Sequence, residues 1–142
     1  MQFVYDDGGR RAAGFTGDTG DCVTRAIAIV TDKPYREVYD ALNAVRDSLR
    51  QTKRVRGSAA RTGVTRPVYE AYLRSLGWQW FPTMSIGSGC TVHLGDDDLP
   101  RDTIICRVSK HMVAVVNGEI RDTHDPSRGG RRCVYGFWKA AS

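Results

Sequence analysis

The stretch TIICRVSKHMVAVVNGEIRDT, residues 103–123, decides how this chain is read. Residues 103–108 and 112–116 are largely apolar, β-branched runs of strand length, and 119–123 is a third, more polar β-like run. Asn117-Gly118 stands between the second and third. That pair tolerates the two positive φ values of a tight hairpin turn, so it predicts an antiparallel hairpin with a two-residue loop. The turn fixes the register: Val116 pairs with Glu119, and His111 then lies opposite His124. Opposed residues share a face, so His111, Asp122 and His124 fall on one side of the hairpin, with Asp122 the diagonal neighbour of His111. Asp125 falls on the other face.

Working outward, residues 133–138 and 78–81 also read as strands, and residues 2–5 as a short one. Residues 91–94 read as a short helix or strand. The first half has a different period. Val23, Ala26, Ile27 and Val30 lie on one helical face, and Asp18, Thr19 and Asp21 are plausible N-caps, so a helix starts within a residue or two of Cys22. Pro34 suits the first turn of a second helix over 35–49, carried by Val38, Leu42, Val45 and Leu49. A third spans 66–76, with Val68, Tyr72 and Leu76 on one face and Gly77 as its stop. Helices first and strands afterwards give an α+β fold, with N-terminal helices packed on a C-terminal antiparallel sheet. The length of 142 residues fits one domain over 1–142.

Composition bounds the function. Hydrophobic residues make up 41% and charged residues 26%, which suits a globular domain rather than a disordered one. No apolar run approaches the roughly 18 residues of a membrane span, and the N-terminus lacks the features of a secretory signal. The expectation is a cytoplasmic protein with reduced thiols and no membrane partner. Cys106, inside an apolar run, reads as a small core residue.

The net charge is +5, and its distribution is uneven. Arg50, Lys53, Arg54, Arg56, Arg61 and Arg66 fall within residues 50–66, which hold no acid. The rest of the chain has 15 basic and 16 acidic side chains. The basicity thus belongs to one element, read as a flexible loop over 51–64, for which an acidic partner is the natural ligand. Nucleic-acid binding through the same stretch is the alternative. Asp96, Asp97 and Asp98 read as a solvated acidic patch.

Cys22 is the residue most suggestive of chemistry. At a helix start, free backbone N–H groups and the macrodipole favour a thiolate and can hold an oxyanion. Asp18 and Asp21 act against the thiolate. His111, at the mouth of an apolar strand, is placed to serve as a general base, and Asp122 to orient its ring. Cys22, His111 and Asp122 therefore make a candidate catalytic set of nucleophile, base and orienting acid. A metal site is the rival use of such residues. Cys90 and His93 have ligand spacing, with Cys133 or His124 to complete a set, but zinc sites usually carry two close pairs. No cofactor motif is present, and the expected assignment is no metal and no cofactor.

Gly20-Asp21-Cys22-Val23-Thr24-Arg25-Ala26 resembles the nucleophile segment of papain-like cysteine peptidases, especially small bacterial and phage members. The segment from His111 to Asp122 resembles their histidine strand, tight turn and third catalytic residue, in the same chain order. The resemblance implies a peptidase or isopeptidase working through a thioester on a protein or peptide substrate, in the host bacterial cytoplasm if phage-encoded. A catalytically inactive binding or inhibitor module on the same scaffold is the alternative. Papain-type members carry a Gln six residues before the cysteine. That position is Thr16 here, so Asp18, Thr19 or backbone amides would take its place. Bacteriocin-processing relatives carry the third residue in an Asp-Pro pair, which Asp125-Pro126 matches, whereas the hairpin register favours Asp122.

Overall fold

A computed structural model describes residues 1–16, 20–85, 87–95 and 99–141 of the chain. Asp18, Thr19 and the Asp96–Asp98 patch lie outside these residues. Element order is β1 (Gln2–Tyr5), α1 (Cys22–Thr31), α2 (Tyr35–Ser48), α3 (Lys53–Arg56), α4 (Arg66–Ser75), β2 (Trp78–Pro82), β3 (Ile104–Val108), β4 (His111–Val116), β5 (Glu119–Asp122) and β6 (Gly136–Ala140).

The hairpin of β4 and β5 forms in the register set by its turn, with Val116 opposite Glu119, Val115 opposite Ile120 and Ala114 opposite Arg121. Asn117 (φ 51°) and Gly118 (φ 79°) both take the left-handed backbone that this turn requires. The fold is α+β, as the change of period implies. The sheet, however, is mixed rather than wholly antiparallel. Its order is β1-β5-β4-β3-β6-β2, and β1 adds to its edge parallel to β5, with Gln2 opposite Glu119 and Tyr5 opposite Asp122. A four-residue strand carries no signal for where along a chain its partner lies. The run expected over 133–138 begins pairing as a strand only at Gly136. Cys133 instead forms an isolated bridge with His93, the one β contact of the 91–94 segment.

Alternation along β3 and β4 sorts the core into two layers. Ile105, Met112 and Ala114 face the helices, where they pack with Ile27, Val38, Leu42, Val68, Leu73 and Trp138. Ile104, Cys106, Val108, Val113 and Val115 face the opposite way, against Leu94, Leu99, Ile120 and Val134. Each fully buried Val, Leu, Ile or Met among them contributes roughly 1.5–3 kcal/mol on burial. The central strands are therefore covered on both faces, and the ends of β4 and β5 are fixed in place by their own core.

Residues 51–64 are not the expected loop. Thr52 accepts from the Val55 N–H and caps the single turn of α3. Val55, Ser58 and Ala60 are buried. The Ala60 carbonyl accepts from Thr24 Oγ1 (2.6 Å), its N–H donates to Asn43 Oδ1 (3.1 Å), and Arg46 donates to the Ser58 carbonyl (3.1 Å). One turn holds one apolar residue, so no periodicity announces it. Ser58 and Ala60 are buried because the backbone itself packs there.

Two cysteines also depart from expectation. Cys90 and Cys133 form a disulfide, their Cα atoms 5.9 Å apart across 43 residues of sequence. The His93–Cys133 bridge brings them together, a contact that cysteine spacing cannot reveal. Cys106 is fully buried, and burial pushes its thiol up to about 12, which suits a packing role. Among the described residues, no helix is long and apolar enough to cross a membrane.

Candidate active site

The first turn of α1 meets the start of β4 and the end of β5 at one side of the sheet. Cys22 is the first residue of α1, as the apolar spacing predicts. Asp21 occupies the N-cap position, but its carboxylate makes no capping bond. It is fully buried and turns inward, accepting from Tyr35 Oη (2.6 Å) and pairing with Arg10 (3.0 Å) and Arg25 (3.4 Å). Asp21 thus gives the first-turn amides of α1 no side-chain acceptor.

His111 opens β4. Its Nε2 lies 2.6 Å from Asp122 Oδ2, and its ring lines the same cleft as Cys22, near enough for each to shift the ionisation of the other. Asp122, at the end of β5, is buried and held in turn. Its Oδ1 accepts from the Thr123 N–H (2.7 Å) and pairs with Arg25 Nη2 (3.6 Å). The structure therefore brings Cys22, His111 and Asp122 together, with His111 hydrogen-bonded to Asp122 and electrostatically coupled to Cys22. Asp125 is not part of it: this exposed residue accepts from the Ser127 N–H (2.9 Å) in the turn that follows. His124 lies beside His111 with its ring tilted, centroids 5.3 Å apart, and stays exposed.

The electrostatics favour an ion pair. Burial pushes the Cys22 thiol up, but the hydrogen bond and charge of His111 act against it. A hydrogen bond from the Met112 backbone and the charge of Arg25 add to that, and the net shift is downward. Burial likewise opposes the His111 cation, yet Asp122 and Cys22 outweigh it and raise the ring to about 9. Asp122 is held below the usual carboxylate range, because the His111 bond and charge exceed the penalty of burial. The expected drag of Asp21 on the thiolate does not materialise, since Arg10 and Arg25 neutralise it in place.

Arg25 is the residue that sequence reading missed. It sits one turn after Asp21 and bridges Asp21, Asp122 and Thr123 Oγ1 (3.2 Å), tying the helix start to the strand end. Its signal was an i,i+4 acid–base pair spanning Cys22.

The rival metal grouping is divided. Cys90, Cys133 and His93 cluster at the disulfide, with His93 Nε2 3.6 Å from Cys90 Sγ, while His124 belongs to the other group. His111, Asp122 and His124 do have ligand atoms within 4.8 Å of one another. A cation held there would break the 2.6 Å His111–Asp122 bond and take the imidazolium from Cys22. A cleft of about 520 Å³ opens over the cysteine, with Cys22, His111 and His124 in its lining. No family model, curated protein or solved structure matches this chain.

Proposed function

We propose that this protein is a papain-like cysteine hydrolase, a peptidase or isopeptidase, using Cys22 as nucleophile, His111 as acid–base and Asp122 as orienting residue. The observation that carries the reading is the 2.6 Å bond between a strand-borne imidazole and a buried carboxylate, beside a helix-start thiol that shares the imidazole's cleft and whose ionisation the imidazole eases. The Cys22 thiolate adds to a substrate carbonyl carbon, and the developing oxyanion lies toward the first-turn amides of α1. The C–N bond breaks, and the departing amine takes the proton from His111. A thioester remains. His111, now neutral, removes a proton from water, which attacks the thioester and releases the acid and the thiol. Asp122 keeps the ring oriented and favours its charged form throughout.

The reading includes a bacterial cytoplasm, where Cys22 stays reduced. There the Cys90–Cys133 pair is the bond that the compartment would open, and mass spectrometry of protein quenched with alkylating agent on recovery decides its state. Iodoacetamide labelling tests the site itself. Cys22 should alkylate at pH 6 at least tenfold faster than an unperturbed thiol, and His111→Ala should abolish the excess. Labelling of Cys22 no faster than free cysteine would leave an inactive binding module as the better description.

A further inference from the structure

The cleft over Cys22 has an unusual wall. Arg54 and Arg66 from the basic 50–66 segment line it, together with Arg107 of β3 and Lys110 of the turn before β4. No Asp or Glu is in the lining. Arg25 also contributes, but its charge is spent on Asp21 and Asp122. Arg66 is paired with Glu70 (2.6 Å). Arg54, Arg107 and Lys110 have no carboxylate within salt-bridge distance among the described residues, and Arg54 and Lys110 are exposed. The Cys22–His111 ion pair is itself neutral overall, so the cleft carries an uncompensated positive charge beside the reacting sulfur.

The wall is built rather than incidental. The Thr24–Ala60 hydrogen bond ties the basic segment to the nucleophile helix. Gly20 packs so close that a Cβ there would stand 2.7 Å from the Thr62 carbonyl oxygen. Tyr69, buried at the base of the wall, feels the charges of Arg107, Arg66 and Arg54 together, which oppose the effect of its burial. Like charges brought this close repel unless an anion lies among them.

We propose that the cleft selects an acidic polypeptide, with carboxylate side chains next to the bond that Cys22 attacks, held by Arg54, Arg107 and Lys110. The proposal rests on the hydrolase reading and adds the substrate class. A carboxylate suits the forked guanidinium groups of Arg54 and Arg107, which can grip both of its oxygens. Of the six basic residues in the segment, Arg50, Lys53, Arg56 and Arg61 do not line the cleft. Arg66 lines the cleft but is engaged by Glu70, so the acidic partner is read by one of the six, Arg54, joined by two cations from elsewhere in the chain.

The test compares iodoacetate, an anionic probe, with neutral iodoacetamide at Cys22, at low salt and pH 7. The iodoacetate-to-iodoacetamide rate ratio should fall about threefold for each cation removed in Arg54→Ala and Arg107→Gln. In the unaltered protein it should fall similarly as sodium chloride is raised about tenfold, a measurement that no folding defect can mimic. A Glu-rich octapeptide should protect Cys22 from iodoacetamide, and a Gln-rich one of equal length should not. A ratio indifferent to salt and to both substitutions overturns the proposal. So does protection by a single-stranded oligonucleotide at lower concentration than the Glu-rich peptide, which would assign the wall to nucleic acid. Failure of iodoacetamide alone to label Cys22 sinks the hydrolase reading first and this one with it. Normal iodoacetamide labelling without charge preference sinks only this one.

Discussion

Replacing Asp122 by Asn removes one charge and almost no volume, and so isolates what the carboxylate does for the ring. His111 titrates at about 9 in the folded protein, although burial alone would push it below the 6.5 of a free imidazole. The gap corresponds to about 3 kcal/mol in favour of the charged ring, at 1.4 kcal/mol per decade. Asp122, 2.6 Å from Nε2, is the first of the groups that supply it. In Asp122→Asn, burial acts against a ring whose main support is gone. The imidazolium should then titrate at or below neutrality, and the thiol should climb back toward its ordinary range. Alkylation of Cys22 by iodoacetamide, followed by mass spectrometry across pH 5–9, reads this directly. At pH 6 the rate should drop between ten- and a hundredfold, and the pH at which labelling reaches half its maximum should move upward. The reasoning is refuted if the variant, folded by circular dichroism, keeps the unaltered pH–rate profile.

Three further outcomes are expected. In Cys22→Ala, His111 keeps Asp122 but loses the thiolate. Its folded-state value stays raised, so its stabilisation is full below pH 6.5 and lost as pH rises toward its folded value. Thermal midpoints should fall across that range. The unaltered protein should change less, because the depressed thiol gains stability in the opposite direction; equal pH dependence in both proteins would count against the ion pair. Asp21→Asn leaves Arg10 and Arg25 facing a buried neutral amide and should cost about 3 kcal/mol in urea denaturation, whereas a loss under 1 kcal/mol would mean the pair carries little. Reducing Cys90–Cys133, or replacing Cys90 by Ser, frees a 43-residue loop and should cost about 4 kcal/mol by loop-closure entropy, with no change in Cys22 labelling; an unchanged thermal midpoint would contradict it.

The parts of the site legible in the sequence are those set by local rules. Asn117-Gly118 fixes the hairpin register, and the register places Asp122 beside His111. The apolar spacing after Asp21 starts α1 at Cys22. What is not legible depends on long-range choices. Nothing in residues 2–5 says that they pair with residues 119–122, and Cys90 carries no mark of Cys133. The basic segment looks like a loop because its single helical turn and buried small residues leave no period. Asp21 shows how a local inference can invert. In sequence it is an acid beside a thiol, but in the fold Arg10 and Arg25 hold its charge, so it steadies Arg25 and with it Asp122.

The Thr24–Ala60 hydrogen bond bears on how such a protein can change over time. Hydrolases often diversify by exchanging surface loops as cassettes while the reacting groups stay fixed. Here that exchange is blocked, because the segment from Val55 to Val64 supplies a backbone acceptor to the helix that begins with Cys22 and closes against Gly20. A transplanted loop of different length would strip Thr24 of its partner and disturb the helix start. Change at the cleft wall would therefore come by single side-chain replacements along a retained backbone path, at exposed positions such as Arg54.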